Sequence, residues 1–135
     1  MQEILTKAAS LLEACETAVL ASVNENGFPR PVPMSKVRSE GASVLWFATG
    51  TTSRKTKHFT TDPKAGVCCH AGMNSAAMTG TVEIFRDAET RHACWKPEFL
   101  PHFPEGPDDP EYCVLKFTAT EGTFWIDGEF VTCEL

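Results

Sequence analysis

Apolar residues at Ile4, Leu5, Ala8, Leu11, Leu12 and Cys15 follow an i, i+3, i+4, i+7 spacing that gathers them on one face of a helix. One N-terminal amphipathic helix is predicted there. The period then changes. Residues 17–23 (TAVLASV) are β-rich, Asn24-Glu25-Asn26-Gly27 reads as a turn with a glycine free to take positive φ, and a second extended run continues to Val37. Pro29, Pro31 and Pro33 occupy alternate positions of that run, so the N–H groups they lack would all have pointed the same way. That side of the strand is either a sheet edge or the side facing a ligand. After a turn at residues 39–42, residues 43–48 (SVLWFA) read as a buried strand that ends at Thr49-Gly50 and completes a second hairpin.

Thr51-Thr52-Ser53 offers hydroxyl caps to a short basic helix over residues 54–59, which stops before Asp62-Pro63. Further strands are predicted over residues 65–71, 78–85, 112–118 and 122–126, with a helix over 88–95. Residues 96–110 hold five of the nine prolines and read as a long ordered loop or broken helix. Many short strands and few helices point to a β-barrel or sandwich rather than a βαβ fold. At 135 residues the chain has room for one core, so residues 1–135 are read as a single domain.

Charge sharpens the picture. The net charge of −6 argues against nucleic acid or an anionic membrane as partner, and no apolar run approaches the ~20 residues of a membrane span, so a cytoplasmic protein is expected. Six cysteines in such a chain read as thiols, mostly buried, rather than disulfides. Against the acidic whole, residues 26–61 carry six bases (Arg30, Lys36, Arg38, Arg54, Lys55, Lys57) and one acid, Glu40, whereas residues 82–135 carry twelve acids. A basic pocket in an acidic protein suits a small anion. A charge run is ordinarily a solvated face, but Ser53-Arg54-Lys55 opens a helix, where N–H groups, a hydroxyl and two cations can converge on one phosphate.

The ordered series GFPRPVPMSKV, LWFATGTTSRKTKHF, DPKAGVC and TGTVEI resembles the motif series of the FMN-binding split β-barrel family related to pyridoxamine 5'-phosphate oxidase. WKPEF, HFPEGPDDPEYCVLKF and TFWID resemble the C-terminal part of its general-stress-protein branch. The resemblance implies a mainly β (α+β) fold, a six- to seven-stranded antiparallel split barrel with an N-terminal helix and short peripheral helices. It implies FMN as cofactor, with the phosphate held by Ser53, Arg54 and Lys55. Ala48 and Thr49 would neighbour the flavin, and Met34, Ser35 and Lys36 would form the edge along which it lies. Arg38 falls where pyridoxamine oxidases have a lysine near the phosphate. Ser75 and Trp125 would be contacts from the partner subunit of a homodimer whose flavin sites lie at the subunit interface.

The departures shape the expected function. Pro33 precedes Met34 where an oxidase has arginine, Ser75 stands in place of a glutamine, and the C-terminal Arg and His that grip pyridoxal phosphate have no counterpart. Oxidation of pyridoxamine phosphate is therefore not expected. The reading is a flavin-dependent oxidoreductase with a small-molecule electron donor or acceptor; the alternative is a non-catalytic flavin, haem or deazaflavin binder, or a stress-related sensor. His58, His70, His92 and His102 lack paired ligand spacing, so no metal site is expected. No catalytic side chain stands out, and Glu105, Asp108 and Asp109 read as solvated.

Overall fold

The computed structural model describes residues 2–135. The predicted N-terminal helix is α1 (Gln2–Ala14), and it buries Ile4, Ala8, Leu11 and Leu12, the stripe its spacing marks out. Seven antiparallel strands follow: β1 (Thr17–Val23), β2 (Pro29–Glu40), β3 (Val44–Gly50), β4 (Lys64–Ala71), β5 (Asn74–Phe85), β6 (Tyr112–Ile126) and β7 (Glu129–Glu134). They run in the order β3-β2-β1-β4-β5-β6-β7, and β6 also pairs with β3. That last pairing closes six strands into a barrel, with β7 extending one wall. Helices α2 (Arg54–Thr61) and α3 (Ala88–Cys94) lie outside it. The expected split barrel with an N-terminal helix is the fold observed.

Two apolar clusters explain which strands read as buried. Inside the barrel, Leu20, Leu45, Phe47, Leu115, Phe117 and Phe124 pack with the buried face of α1. Outside β3 and β6, a second cluster joins Trp46, Cys94, Phe103, Tyr112 and Val114. β3 is thus covered on both faces, which is why SVLWFA shows no polar alternation. Elsewhere alternation holds: on β4 Cys69 is buried while Cys68 is exposed. Burial, with Cys15 beside it, pushes the Cys69 thiol up to about 12, so it packs as an apolar group and not as a nucleophile.

Several boundaries differ from those predicted. The runs over residues 112–118 and 122–126 form one strand, β6. Its first half pairs with β3 and its second with β7, while β5 follows both halves through a register shift at Thr79–Gly80. A Cβ on Gly80 would lie 2.0 Å from the Thr118 carbonyl oxygen, so only glycine lets the strands approach there. β7 has no counterpart among the predicted strands, because Glu129, Thr132 and Glu134 mask its alternation. Residues 96–110 form a loop with one-turn 3₁₀ helices at Pro97–Phe99 and Gly106–Asp108.

Asp109 corrects the expectation of a solvated acidic cluster. It is 5% exposed, and its carboxylate accepts from the Glu105 and Glu111 backbone N–H groups at 3.1 and 3.0 Å. Arg91 donates to the Asp109 carbonyl at 3.0 Å, and Asp108 meets His92 at 2.7 Å. With Trp95, Phe99 and Phe103 packed on Tyr112, the proline-rich loop is pinned at several points.

The split between two strands as candidate cofactor site

The proline alternation on β2 has a direct structural outcome. β2 pairs with β1 over Pro29–Ser35 but with β3 only from Lys36 to Glu40, with a register shift between Lys36 and Arg38. Prolines cannot donate to β1, so the Arg30, Val32 and Met34 positions carry the ladder bonds and residues 29, 31 and 33 turn their carbonyls to the unpaired side. By the same alternation the Ser35 N–H and carbonyl face that side. Where β2 leaves β3, a cavity of about 620 Å³ opens. Pro33, Met34, Ser35 and Lys36 form one wall, and Ala48, Thr49 and Gly50 at the end of β3 form another.

Its floor is the start of α2. Ser53 caps the helix, its Oγ accepting from the Thr56 N–H at 3.4 Å and lying 2.8 Å from Thr56 Oγ1. Thr56 Oγ1 is placed to donate to the Gly50 carbonyl at 2.7 Å, which ties the helix to β3. Lys55 Nζ donates to Thr49 Oγ1 at 3.1 Å, and Thr49 Oγ1 lies 3.4 Å from Ser53 Oγ. Burial first, and Arg30 second, hold the Lys55 ammonium below its ordinary range. Among the described residues no carboxylate lies within 4 Å of it. A half-buried cation beside a second cation, with hydroxyls and helix N–H groups around it, is an arrangement that an anion completes.

One carboxylate, Glu111, also lines the cavity and shapes its floor. Glu111 accepts from Thr51 Oγ1 at 2.7 Å, from the Thr52 N–H at 3.1 Å and from Thr52 Oγ1 at 2.5 Å. These bonds, the Thr52 hydroxyl foremost, hold its carboxyl below the usual glutamate range. They fix the turn that leads into Ser53. The remaining wall comes from the proline-rich loop, through Lys96, Glu98, Phe99, His102 and Phe103.

The sequence-derived candidates separate into groups. Met34, Ser35, Lys36, Ala48, Thr49, Ser53 and Lys55 meet in the one cavity. The Lys36 ammonium is spent on the C-terminal carbonyls of α1, donating to Leu12 and, at 2.9 Å, to Glu13, so its backbone and stem line the cavity. Arg54 is exposed and lies near Glu25, whose carboxyl feels its charge. Arg38 lies outside the cavity, its guanidinium 4.6 Å from the centre of the Trp46 ring. Ser75 and Trp125 also lie outside it, directly opposite one another on β5 and β6. Arg30 and Glu111 had no assigned role in the sequence. Arg30 is marked only as one base of the basic run, and nothing local distinguishes Glu111 from eleven other acids of the C-terminal stretch.

The comparisons with known proteins agree with the fold. The family described as "Pyridoxamine 5'-phosphate oxidase like" matches residues 3–133. No curated protein sequence matches. Among solved structures, a Clostridium acetobutylicum protein related to general stress protein 26 superposes with a TM-score of 0.86 at 23% identity, covering 100% of this chain and 96% of that one. General stress protein 26 of Bacillus anthracis gives 0.78 at 23% identity, covering 96% and 98%. A haem-binding protein of Mycobacterium smegmatis gives 0.74 at 11% identity, covering 96% of this chain and 57% of that one. These likenesses carry the fold, and the family match carries more: the chain belongs to the pyridoxamine 5'-phosphate oxidase-like family.

Proposed function

We propose that the protein binds FMN in the split between β2 and β3 and acts as a flavin-dependent oxidoreductase on a small electron donor or acceptor in the cytoplasm. The observation that carries this reading is the Lys55 ammonium, half-buried, set against Ser53 and Thr49, and without a carboxylate partner among the described residues. Lys55, the Ser53 hydroxyl and the first N–H groups of α2 hold the phosphate, and Arg30 adds charge. A cavity of about 620 Å³ falls within the usual size range of cofactor sites. The Ser35 N–H and the Pro33 carbonyl on the free edge of β2 offer a donor and an acceptor to a polar ring edge. Bound FMN supplies reversible acceptance and release of electrons. The chain's own residues hold it, orient it and limit water around it.

A homodimer completes the reading. Ser75 and Trp125 do not line the cavity of their own chain, yet stand side by side, so a partner copy would bring both to the flavin together. Pyridoxamine 5'-phosphate oxidation is not the proposed reaction. The test is titration with FMN and riboflavin by flavin fluorescence, then anaerobic mixing of the FMN-loaded protein with NADH, NADPH and pyridoxamine 5'-phosphate in turn. Tight FMN and weak riboflavin binding are expected, with bleaching of the oxidised band by a nicotinamide donor. Bleaching by pyridoxamine 5'-phosphate alone would overturn the reaction assigned. One imidazole, His102, lines the cavity, which favours haem as the second reading. A Soret band in place of flavin bands in the freshly purified protein would select it.

A further inference from the structure

The loop wall of the cavity contrasts with the polar residues around it. Asp109, Arg91, His92, Asp108 and Glu111 all have hydrogen-bond partners. Lys96, Glu98 and His102 line the cavity, and among the described residues none of their side chains has a hydrogen bond or ion pair. They are carried on a rigid support, because Trp95 and Phe99 pack at ring-centroid distances of 5.2 and 6.3 Å against the buried Tyr112. Two uncommitted bases thus belong to the same cavity as Lys55. Lys96 and Glu98 also border a second hollow of about 490 Å³, which shares Ser35 and Lys36 with the first. The two hollows meet at the free edge of β2.

Resting on the FMN reading above, we propose that this loop wall binds the second reactant, a small planar molecule carrying a single carboxylate. Lys96 and His102 receive the carboxylate, and Phe99 packs against the apolar body. Glu98 and Glu111 both line the cavity, and Glu111 keeps its charge because its donors are neutral hydroxyls and an N–H, so one negative charge on the ligand is favoured over two. The phosphate seat, with Lys55, Arg30, a hydroxyl and helix N–H groups, is what this chain builds for a dianion. The loop wall is leaner. Lys96 and His102 are specificity-determining residues in this assignment, and Glu98 opposes them by like-charge repulsion with the ligand.

The experiment titrates benzoate, benzyl alcohol and pyridoxamine 5'-phosphate into the FMN-loaded protein by calorimetry, with the flavin visible band as a second readout. Benzoate should bind, and bind better than either comparator. Lys96→Ala should weaken benzoate roughly tenfold, the loss of one charge-assisted contact, and leave FMN affinity within about twofold. His102→Ala should weaken benzoate less, and Glu98→Gln should strengthen it. Benzoate affinity unchanged in both Lys96→Ala and His102→Ala would overturn the proposal, as would absent benzoate binding by the parent. So would a loss of FMN affinity in Lys96→Ala equal to that in Lys55→Ala, since Lys96 would then serve the phosphate. If FMN itself does not bind, the cofactor reading fails separately. Benzoate titrated into the FMN-free protein then decides: sensitivity to Lys96→Ala sustains the loop site, and sensitivity to Lys55→Ala alone sinks it.

Discussion

Burial holds Lys55 at a cost that a bound anion would offset. Its folded-state pKa lies below the unfolded value, so the unfolded chain binds more protons in the window between the two. The stability of the ligand-free protein should therefore rise as pH climbs through that window toward the ordinary lysine value of 10.5. FMN at neutral pH should raise the melting temperature by supplying the missing partner. Lys55→Ala should cost on the order of 1.5 to 3 kcal/mol of FMN binding, tenfold or more in affinity, whereas Lys64→Ala on exposed β4 should change little. Fluorescence titration of the two variants checks this; equal losses would remove Lys55 from the phosphate seat. Glu111 has the opposite sign. Its folded pKa is depressed by the Thr52 and Thr51 bonds, so its contribution is present above the unfolded value of 4.5 and lost as pH falls through the folded one. The parent should exceed Glu111→Gln in urea midpoint at neutral pH, and the gap should close in acid. A gap unchanged with pH would mean that the carboxylate charge is not what holds the Thr51–Thr52 turn.

At the scale of elements, two strands govern the site's shape. β6 serves β3 with one half and β7 with the other, and the register shift at Gly80 lets β5 follow both halves. Gly80→Ala sets a Cβ against the Thr118 backbone, so it should destabilise the fold by about 2 to 4 kcal/mol with no direct contact to the cavity. Chemical denaturation measures it, and a neutral outcome would show that the two strands can part there without loss. β2 is the other. Its prolines leave an edge rich in acceptors and poor in donors over residues 29–33, which discourages another strand from pairing there and leaves the gap open. The proline-rich loop is an element in its own right, since Asp109 and the aromatic cluster around Tyr112 tie it to the fold.

For the whole molecule, the outer face of β1, β4, β5 and β6 is lined by small side chains, among them Ala21, Gly66, Cys68, Ala77 and Thr123. A face of small residues like this one can admit a second copy closely. Light scattering at micromolar concentration should give a dimer. Ala77→Arg, which puts a long cation in the middle of that face, should give monomers that release FMN. A monomer of the parent that still holds FMN tightly would contradict the shared site. Ser75 and Trp125 lie on two strands of this same wall, so Trp125→Ala should weaken FMN without changing the fold.

Local chemistry decided much of this protein within the sequence. Periodicity marks α1, alternating prolines mark an edge, and hydroxyls followed by bases mark the start of α2, because each depends on residues only a few positions apart. Ser53, Lys55 and the β2 edge were legible for that reason. Other features depend on distant partners. That the free stretch of β2 faces a gap, rather than solvent at the rim of a sheet, depends on β3 closing onto β6 some 70 residues later in the chain. Arg38 turns to Trp46 and Lys36 to the end of α1 because tertiary neighbours compete for their charges. Glu111, Lys96 and His102 reach the site only because Asp109 and Tyr112 fold the proline-rich loop back over it. A side chain's charge is written in the sequence, but which opposite charge or cavity it meets is decided by long-range packing, where desolvation and geometry outweigh local pattern.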